Sequence, residues 1–279
     1  MSGEGLKKAP GAWDCKAQIY AIPLYVDPAQ ADNFPAFAYP PLEGSSSFAK
    51  PQSGRPVGGL GQILIVRYSE TPVGPYDELA ILPGPFAYPG GEGQADGQSL
   101  RITRIYVSQR DTVWNGRLNW NIPKHLARFD FTDLPNNTIR LRVYPFDDGV
   151  PPESVDKEPS SRYLFQVTFK PVPYTPAFPA TTSALSLLGM KPTIVQPPLP
   201  QGTTNELIGT DRFAKADFAA TSWWTRVGWF DMNQADDDGK IPGEHENFWP
   251  GTKRWLFGAR MDDAAFHITE GQYWKAGSE

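Results

Sequence analysis

The 279-residue sequence is poor in the residues that most often carry chemistry: one cysteine, Cys15, and three histidines, His125, His245 and His267. A single cysteine excludes an intrachain disulfide and points to a reducing, cytoplasmic compartment. The histidines lie in unrelated contexts with no metal-ligand spacing, so no metal site is expected. No apolar run is long enough to cross a bilayer. The start, Met-Ser-Gly-Glu-Gly-Leu-Lys-Lys, lacks the apolar region of a secretory signal. Lys and Arg number 26 against 31 Asp and Glu, a formal charge of −5 that offers no basic surface for nucleic acid. Walker, dinucleotide and Gly-x-Ser-x-Gly motifs are all missing, so no cofactor is implied. No motif surrounds Cys15 to mark it as a nucleophile.

Proline (29) and glycine (26) are abundant, which fits many strands joined by punctuated turns better than long helices. At 40% hydrophobic residues the chain is globular, and we read 1–279 as one domain. Residues 17–26 read as a strand whose Pro23 implies an edge or a bulge. Residues 27–59 read as an irregular surface segment. Residues 60–69 and 76–82 read as strands around the turn 71–75, and 86–98, with four glycines, as a mobile loop. Residues 100–107 alternate as one strand, placing Arg104 on the face of Leu100, Ile102 and Tyr106. Pro123 followed by Lys-His-Leu-Ala-Arg predicts a short helix over 123–128. Strands are expected over 138–146 and 161–169, separated by an exposed acidic stretch, and two closing strands over 253–268. Asp236-Asp-Asp-Gly239 lacks the ligand alternation of a calcium loop and reads as a solvated turn. Trp223, Trp224, Trp229 and Phe230 read as an exposed aromatic group, a candidate interface for a homo-oligomer.

Lys124 is the residue with the most chemistry open to it. Its neighbours Trp120, Ile122, Leu126 and Phe129 are apolar, and burial lowers a lysine pKa. A neutral amine attacks a ketone or aldehyde to give an imine, an electron sink. A lysine that snorkels to solvent beside a short helix is the structural alternative.

The segment Gly116-Arg117-Leu-Asn-Trp-Asn-Ile-Pro123-Lys124-His125-Leu126 resembles the Gly-Arg-Glu-x-x-x-x-Pro-Lys-Lys-Leu signature of the acetoacetate decarboxylase family. Upstream, Val73-Gly-Pro-Tyr76-Asp-Glu78-Leu resembles the family's strand entry, in which a tyrosine precedes an active-site glutamate by two residues. The order and distance of the two motifs agree, and Arg101-Ile-Thr-Arg-Ile-Tyr-Val-Ser108 is similar to fungal members. The similarity is clearest over residues 60–130. It implies a closed antiparallel β-barrel with additional strands and a few short helices. The lysine would project into the barrel cavity. Lys124 would be the Schiff-base nucleophile and Glu78 the polar glutamate that orients substrate or relays a proton.

Two positions depart from the pattern. His125 replaces the family's second lysine, so desolvation has to lower the Lys124 pKa; in acetoacetate decarboxylases a desolvated pocket or a neighbouring cation does this. His125 is then a candidate acid or base, or a packing residue facing away. Gln62 stands where a second family glutamate is expected. The family's early arginine has no secure match, although Lys16 and Gln18 lie in that region. Gln62, Tyr76, Arg104 and Trp120 are candidate substrate-binding residues. Arg104 would meet an anionic group or form a structural ion pair, and Arg101, Arg104 and Arg117 are available to pair with Glu78.

The resemblance implies a lyase-type enzyme acting on a keto acid or related carbonyl compound through an imine on Lys124, with a place in fungal secondary metabolism. Two alternatives stay open. One is non-imine acid/base chemistry, such as isomerisation, dehydration or cyclisation of a polyketide-like substrate. The other is a non-catalytic small-molecule-binding barrel.

Overall fold

The computed structural model describes residues 5–92, 95–146, 158–184, 192–241 and 245–276. The chain is mainly β. Nine strands form a closed barrel in the order β10 (Phe165–Pro171), β9 (Thr138–Pro145), β8 (Lys124–Leu134), β7 (Arg104–Val107), β4 (Tyr76–Leu82), β3 (Gly59–Glu70), β1 (Trp13–Val26), β14 (Trp255–Ile268) and β13 (Phe213–Asp231). β10 pairs back onto β13, with Phe169 opposite Phe230, and this closes the ring. The expected closed barrel is therefore present. Its ladders are antiparallel except between β7 and β8, which run parallel. Parallel neighbours need a crossover, and here it contains helix α2 (Arg110–Trp120).

Six further strands extend the sheet. The first half of β13 pairs with β12 (Thr193–Gln196), which continues to β6 (Gly97–Leu100), β5 (Pro85–Tyr88) and β2 (Arg55–Pro56). β11 (Phe178–Thr181) adds to the middle of β13, opposite residues 221–225, and β15 (Gln272–Trp274) pairs with its start, opposite residues 213–215.

Strand alternation sends the two faces of the barrel wall to different cores. Tyr20 on β1 meets Phe169 on β10 with ring centroids 5.6 Å apart, although these strands are not neighbours. Such a contact crosses the barrel, so the interior holds Tyr20, Ile63, Ile65, Leu79, Ile81 and Phe169. The opposite face, with Cys15, Val66, Ala80 and Ala264, belongs to a second core under α2 and β12.

Several sequence expectations are corrected. No helix covers 123–128: α2 ends at Trp120, and Lys124 opens β8. Asn121, in the left-handed region at φ 53°, caps α2, and its N–H donates to the Arg117 carbonyl at 3.0 Å. Pro123 thus follows a helix end rather than starting a helix. Residues 100–107 do not make one strand, because β6 stops at Leu100 and β7 starts at Arg104. Between them the Gln196 amide faces the Ile102 backbone, and with its NH2 turned to the Ile102 carbonyl (3.2 Å) and its oxygen to the Ile102 N–H (2.9 Å) it satisfies both groups. The expected loop 86–98 contains the β5–β6 hairpin; residues 93–94 lie outside the described residues, as does most of the expected acidic stretch, 147–157. Residues 253–268 carry one long strand, not two.

The segment 27–59, expected to be irregular, instead carries short 3-10 turns, one turn of α-helix (Pro41–Gly44) and β2, and its residues 27–53 are packed down rather than lying over the surface. Phe48 and Ala38 are fully buried, and Phe34, Phe37 and Tyr39 join rings from Phe86, Phe248 and Trp249. Burying a ring such as Phe48 stabilises by roughly 1.5–3 kcal/mol. Pro23 is tolerated because the β1–β14 ladder stops at Ala21, which leaves a local edge. Trp223, Trp224 and Trp229 are exposed, whereas Phe230 points into the barrel and is fully buried. The 236–239 turn is solvated, and its Asp237 pairs with Arg142 at 2.9 Å.

Candidate functional site

The residue before the ordered start of β8 is a proline, and the first residue of the strand is Lys124. Alternation puts Lys124 and Leu126 on the outer face of the barrel and His125 and Ala127 on the other. The lysine therefore points away from the barrel interior, contrary to the expectation. It enters a cavity of about 60 Å³ between the barrel wall, α2 and β12.

Gly116 makes this possible. A Cβ there would lie 2.7 Å from Cδ of Lys124, so only glycine lets the lysine stem pass under α2. The adjacent Arg117 has a separate task. It is fully buried, donates to the carbonyls of Ile208 and Pro200 at 2.9 and 2.7 Å, and pairs with Glu43 at 2.8 Å. The glycine and arginine of the motif thus clear the lysine's path and lock the helix beside it.

Lys124 Nζ lies 2.9 Å from Oε2 of Glu78 and is 4% exposed. It donates to the Thr112 hydroxyl at 2.9 Å and the Tyr76 hydroxyl at 3.3 Å. The Tyr68 hydroxyl reaches the other Glu78 oxygen at 3.5 Å, and the two tyrosine rings stand 4.5 Å apart. Burial opposes the Lys124 ammonium, but the Glu78 carboxylate and Tyr76 outweigh it and hold the lysine pKa above its ordinary value. The sequence expectation of a lowered pKa is corrected here: the neighbour that decides the sign is a carboxylate. Burial pushes the Tyr76 hydroxyl up to about 12, the Cys15 thiol up to about 12 and the Tyr68 hydroxyl well above its usual value. All three are proton donors at neutral pH. The remaining wall is apolar, with Trp13, Leu82, Trp120, Ile194, Phe218 and Phe266. Tyr68 and Tyr76 also line a surface groove, and so form the partition between it and the cavity.

Of the residues named from the sequence, Lys124, Glu78, Tyr76 and Trp120 meet at this cavity. His125, Arg104 and Gln62 do not line it. His125 Nε2 sits 2.7 Å from Glu43, on α1 (Pro41–Gly44), which also binds Arg117. Burial opposes ionisation of Glu43, but His125 and Arg117 outweigh it and keep its carboxyl below the usual range. Arg104 is on the barrel-interior face, bonded to the Tyr106 hydroxyl and to the Phe37 carbonyl at 2.6 Å. Arg101 is buried against Phe48 and Phe86 and bonded to the carbonyls of Phe48 and Ser53, so burial lowers its pKa to about 10. Arg101, Arg104, Arg117 and His125 together tie the 36–53 segment to the barrel end. None of the three arginines pairs with Glu78, whose cationic partner is Lys124.

Sequence reading missed Tyr68 and Cys15 as cavity residues and Thr112 as a hydrogen-bond partner of Lys124. Tyr68 was legible from its alternation with Leu64 and Val66. Thr112 needed α2, whose Val113, Gly116 and Trp120 keep helical spacing. Among the described residues no group of three or more His, Cys, Asp or Glu side chains is arranged to hold a metal, and no helix is long and apolar enough to cross a membrane.

No family model matches this sequence, and no curated protein matches it. Solved structures do. An acetoacetate decarboxylase from Legionella pneumophila superposes with a TM-score of 0.56 at 13% identity, over 95% of this chain and 87% of that one. An acetoacetate decarboxylase-like enzyme from Sphingomonas wittichii gives 0.56 at 12%, over 96% and 94%. The enduracididine biosynthesis enzyme MppR, complexed with the condensation product of pyruvate and imidazole 4-carboxaldehyde, gives 0.54 at 12%, over 99% and 94%. At these identities the likeness is one of fold: the chain has the fold of acetoacetate decarboxylase and of enzymes like it.

Proposed function

We propose that the protein is an enzyme that acts on a carbonyl compound through a Schiff base on Lys124. The observation that carries this is the buried Lys124–Glu78 pair, 2.9 Å apart, at the end of an apolar cavity. The resting lysine is an ammonium. Glu78 takes one of its protons, and the free amine attacks the substrate carbonyl. Tyr76 gives its proton to the oxygen that becomes the carbinolamine hydroxyl and takes one back from the attacking nitrogen, which then carries a single proton. Glu78 returns its proton to that hydroxyl, water leaves, and a protonated imine remains paired with the Glu78 carboxylate. The imine then draws electrons from an adjacent bond, in carbon–carbon cleavage or loss of an α-proton, and Glu78 or Tyr76 handles the proton. The fold shared with acetoacetate decarboxylase and MppR supports this reading, and the order of the two sequence motifs supports it further. Cyanoborohydride with a carbonyl substrate should fix a mass on the Lys124 peptide. An unmodified Lys124 during turnover, with activity surviving Lys124→Ala, would overturn it.

A second reading is favoured by the raised Lys124 pKa. A lysine that stays protonated polarises a carbonyl by hydrogen bonding while Glu78 removes an α-proton, with no covalent step. Lys124→Arg keeps the charge but cannot form the imine intermediate, so full activity in that variant would select the second reading.

A further inference from the structure

The cavity has a balanced charge inventory with nothing to spare. Among the described residues that line it, Lys124 is the one cation and Glu78 the one carboxylate, and they neutralise each other. Cys15, Tyr68 and Tyr76 supply only neutral groups at pH 7. Arg104, the sequence's candidate for an anionic substrate group, faces the barrel interior and holds the Phe37 carbonyl and the Tyr106 hydroxyl. Arg67, in the groove beyond the tyrosines, is paired with Asp77 and lies over the Phe131 ring.

An imine on Lys124 uses up none of this balance when the substrate is neutral. The ammonium becomes a protonated imine, water leaves, and Glu78 still faces one positive charge. A substrate carboxylate beside the reacting carbonyl changes the sum. Two carboxylates then share one cation in an apolar cavity, and among the described lining residues the donors for the second are the weak Cys15 thiol, Tyr68, which already donates to Glu78, and Tyr76, which serves the carbinolamine oxygen. A buried charge without a partner is strongly disfavoured. The volume, about 60 Å³, admits a reacting fragment of only a few heavy atoms. A carboxylate one or two carbons from the carbonyl would therefore sit inside the cavity rather than reach past it.

We infer that the site selects an uncharged aldehyde or ketone with an apolar substituent, not a keto acid, because its one cation is already matched by Glu78 and its far wall is aliphatic and aromatic. This rests on the Schiff-base reading and narrows it. The reactions open to a neutral carbonyl are loss of an α-proton to give the enamine, which adds to a second aldehyde or ketone, and, for a β-hydroxy ketone, cleavage to the enamine and an aldehyde or loss of water. Decarboxylation is not among them.

Two ketones of the same size and shape separate the possibilities. In 4-methylpentan-2-one an isopropyl group stands where acetoacetate has its carboxylate. The intact protein is incubated with each under cyanoborohydride. The Lys124 peptide is followed by mass spectrometry, with Lys124→Ala as the control and carbon dioxide release recorded for acetoacetate. We expect labelling of Lys124 by the neutral ketone to be faster by about tenfold or more, with no enzyme-dependent carbon dioxide release. Equal or faster labelling by acetoacetate, or carbon dioxide release that depends on Lys124, overturns the substrate class while the Schiff-base reading stands. No labelling by either compound overturns both.

Discussion

At the scale of single residues, Lys124 and Glu78 set each other's state. A lysine whose pKa in the folded protein stands above its unfolded value, about 10.4, stabilises the fold throughout the range below that value. The contribution is lost as pH rises through the folded pKa. Glu78→Gln removes the cause of the elevation and leaves a buried ammonium with Thr112 and Tyr76 alone. Breaking one side of a buried pair costs about 3–5 kcal/mol, so urea unfolding at pH 7 should show a loss of that order, persisting to pH of about 10 and shrinking only above it. Glu78→Gln combined with Lys124→Met should recover most of it. A Glu78→Gln protein as stable as the wild type at pH 7 would refute the pair as described. The positions of these two residues were readable from the sequence motifs, but the sign of the lysine shift was not. It depends on a carboxylate 46 residues away in the chain that only the β4–β7–β8 arrangement brings to 2.9 Å.

At the scale of elements, α2 is the part that holds the lysine in place. Alanine at 116 would gain helix propensity of about 1 kcal/mol over glycine. It would also put a Cβ 2.7 Å from Lys124 Cδ and 2.9 Å from Cε, and the stem must move. Gly116→Ala should therefore fold, with a thermal midpoint within a few degrees of wild type, and lose most labelling of Lys124 by carbonyl compounds; unchanged labelling would rule out the clearance role. The α1 contact makes a different prediction. Glu43 has its pKa depressed, so it contributes stability above the unfolded value of about 4.3 and loses it as pH falls through the folded pKa. Acid titration of stability should show this loss below pH of about 4, and Glu43→Gln should flatten it while lowering stability at pH 7. The two helices show why elements were only partly legible. The period of α2 was present, but Pro123 drew the expected helix three residues past its true end, since proline suits a first turn as well as a stop. Glu43 sits in a proline-rich run with no periodicity, and its burial follows from Arg117 and His125, which sequence does not place beside it.

At the scale of the molecule, the barrel wall separates two cores, and damage to one should spare the other. Beside the seam where β10 closes onto β13, Gly228 on β13 lies opposite Gly258 on β14, next to the Phe169 and Phe230 rings with centroids 5.0 Å apart. A Cβ at 228 would stand 2.4 Å from the Phe169 ring, and one at 258 would stand 2.8 Å from the Phe230 ring and 2.4 Å from the Ala21 carbonyl. Overpacking of this kind costs roughly 1–3 kcal/mol. Gly228→Ala and Gly258→Ala should each lower stability in urea by that order. Together they should lower it by less than the sum, because the first ring displacement already makes room for the second methyl group. The lysine cavity lies on the other face of the wall, lined by neither phenylalanine. Each variant, kept below its unfolding transition, should label Lys124 at the wild-type rate with 4-methylpentan-2-one. A stability loss with labelling preserved is what two separate cores require. A matched fall in both would mean that the seam and the cavity belong to one cooperative core, with the strand register at β1 and β14 carrying the disturbance from one face to the other.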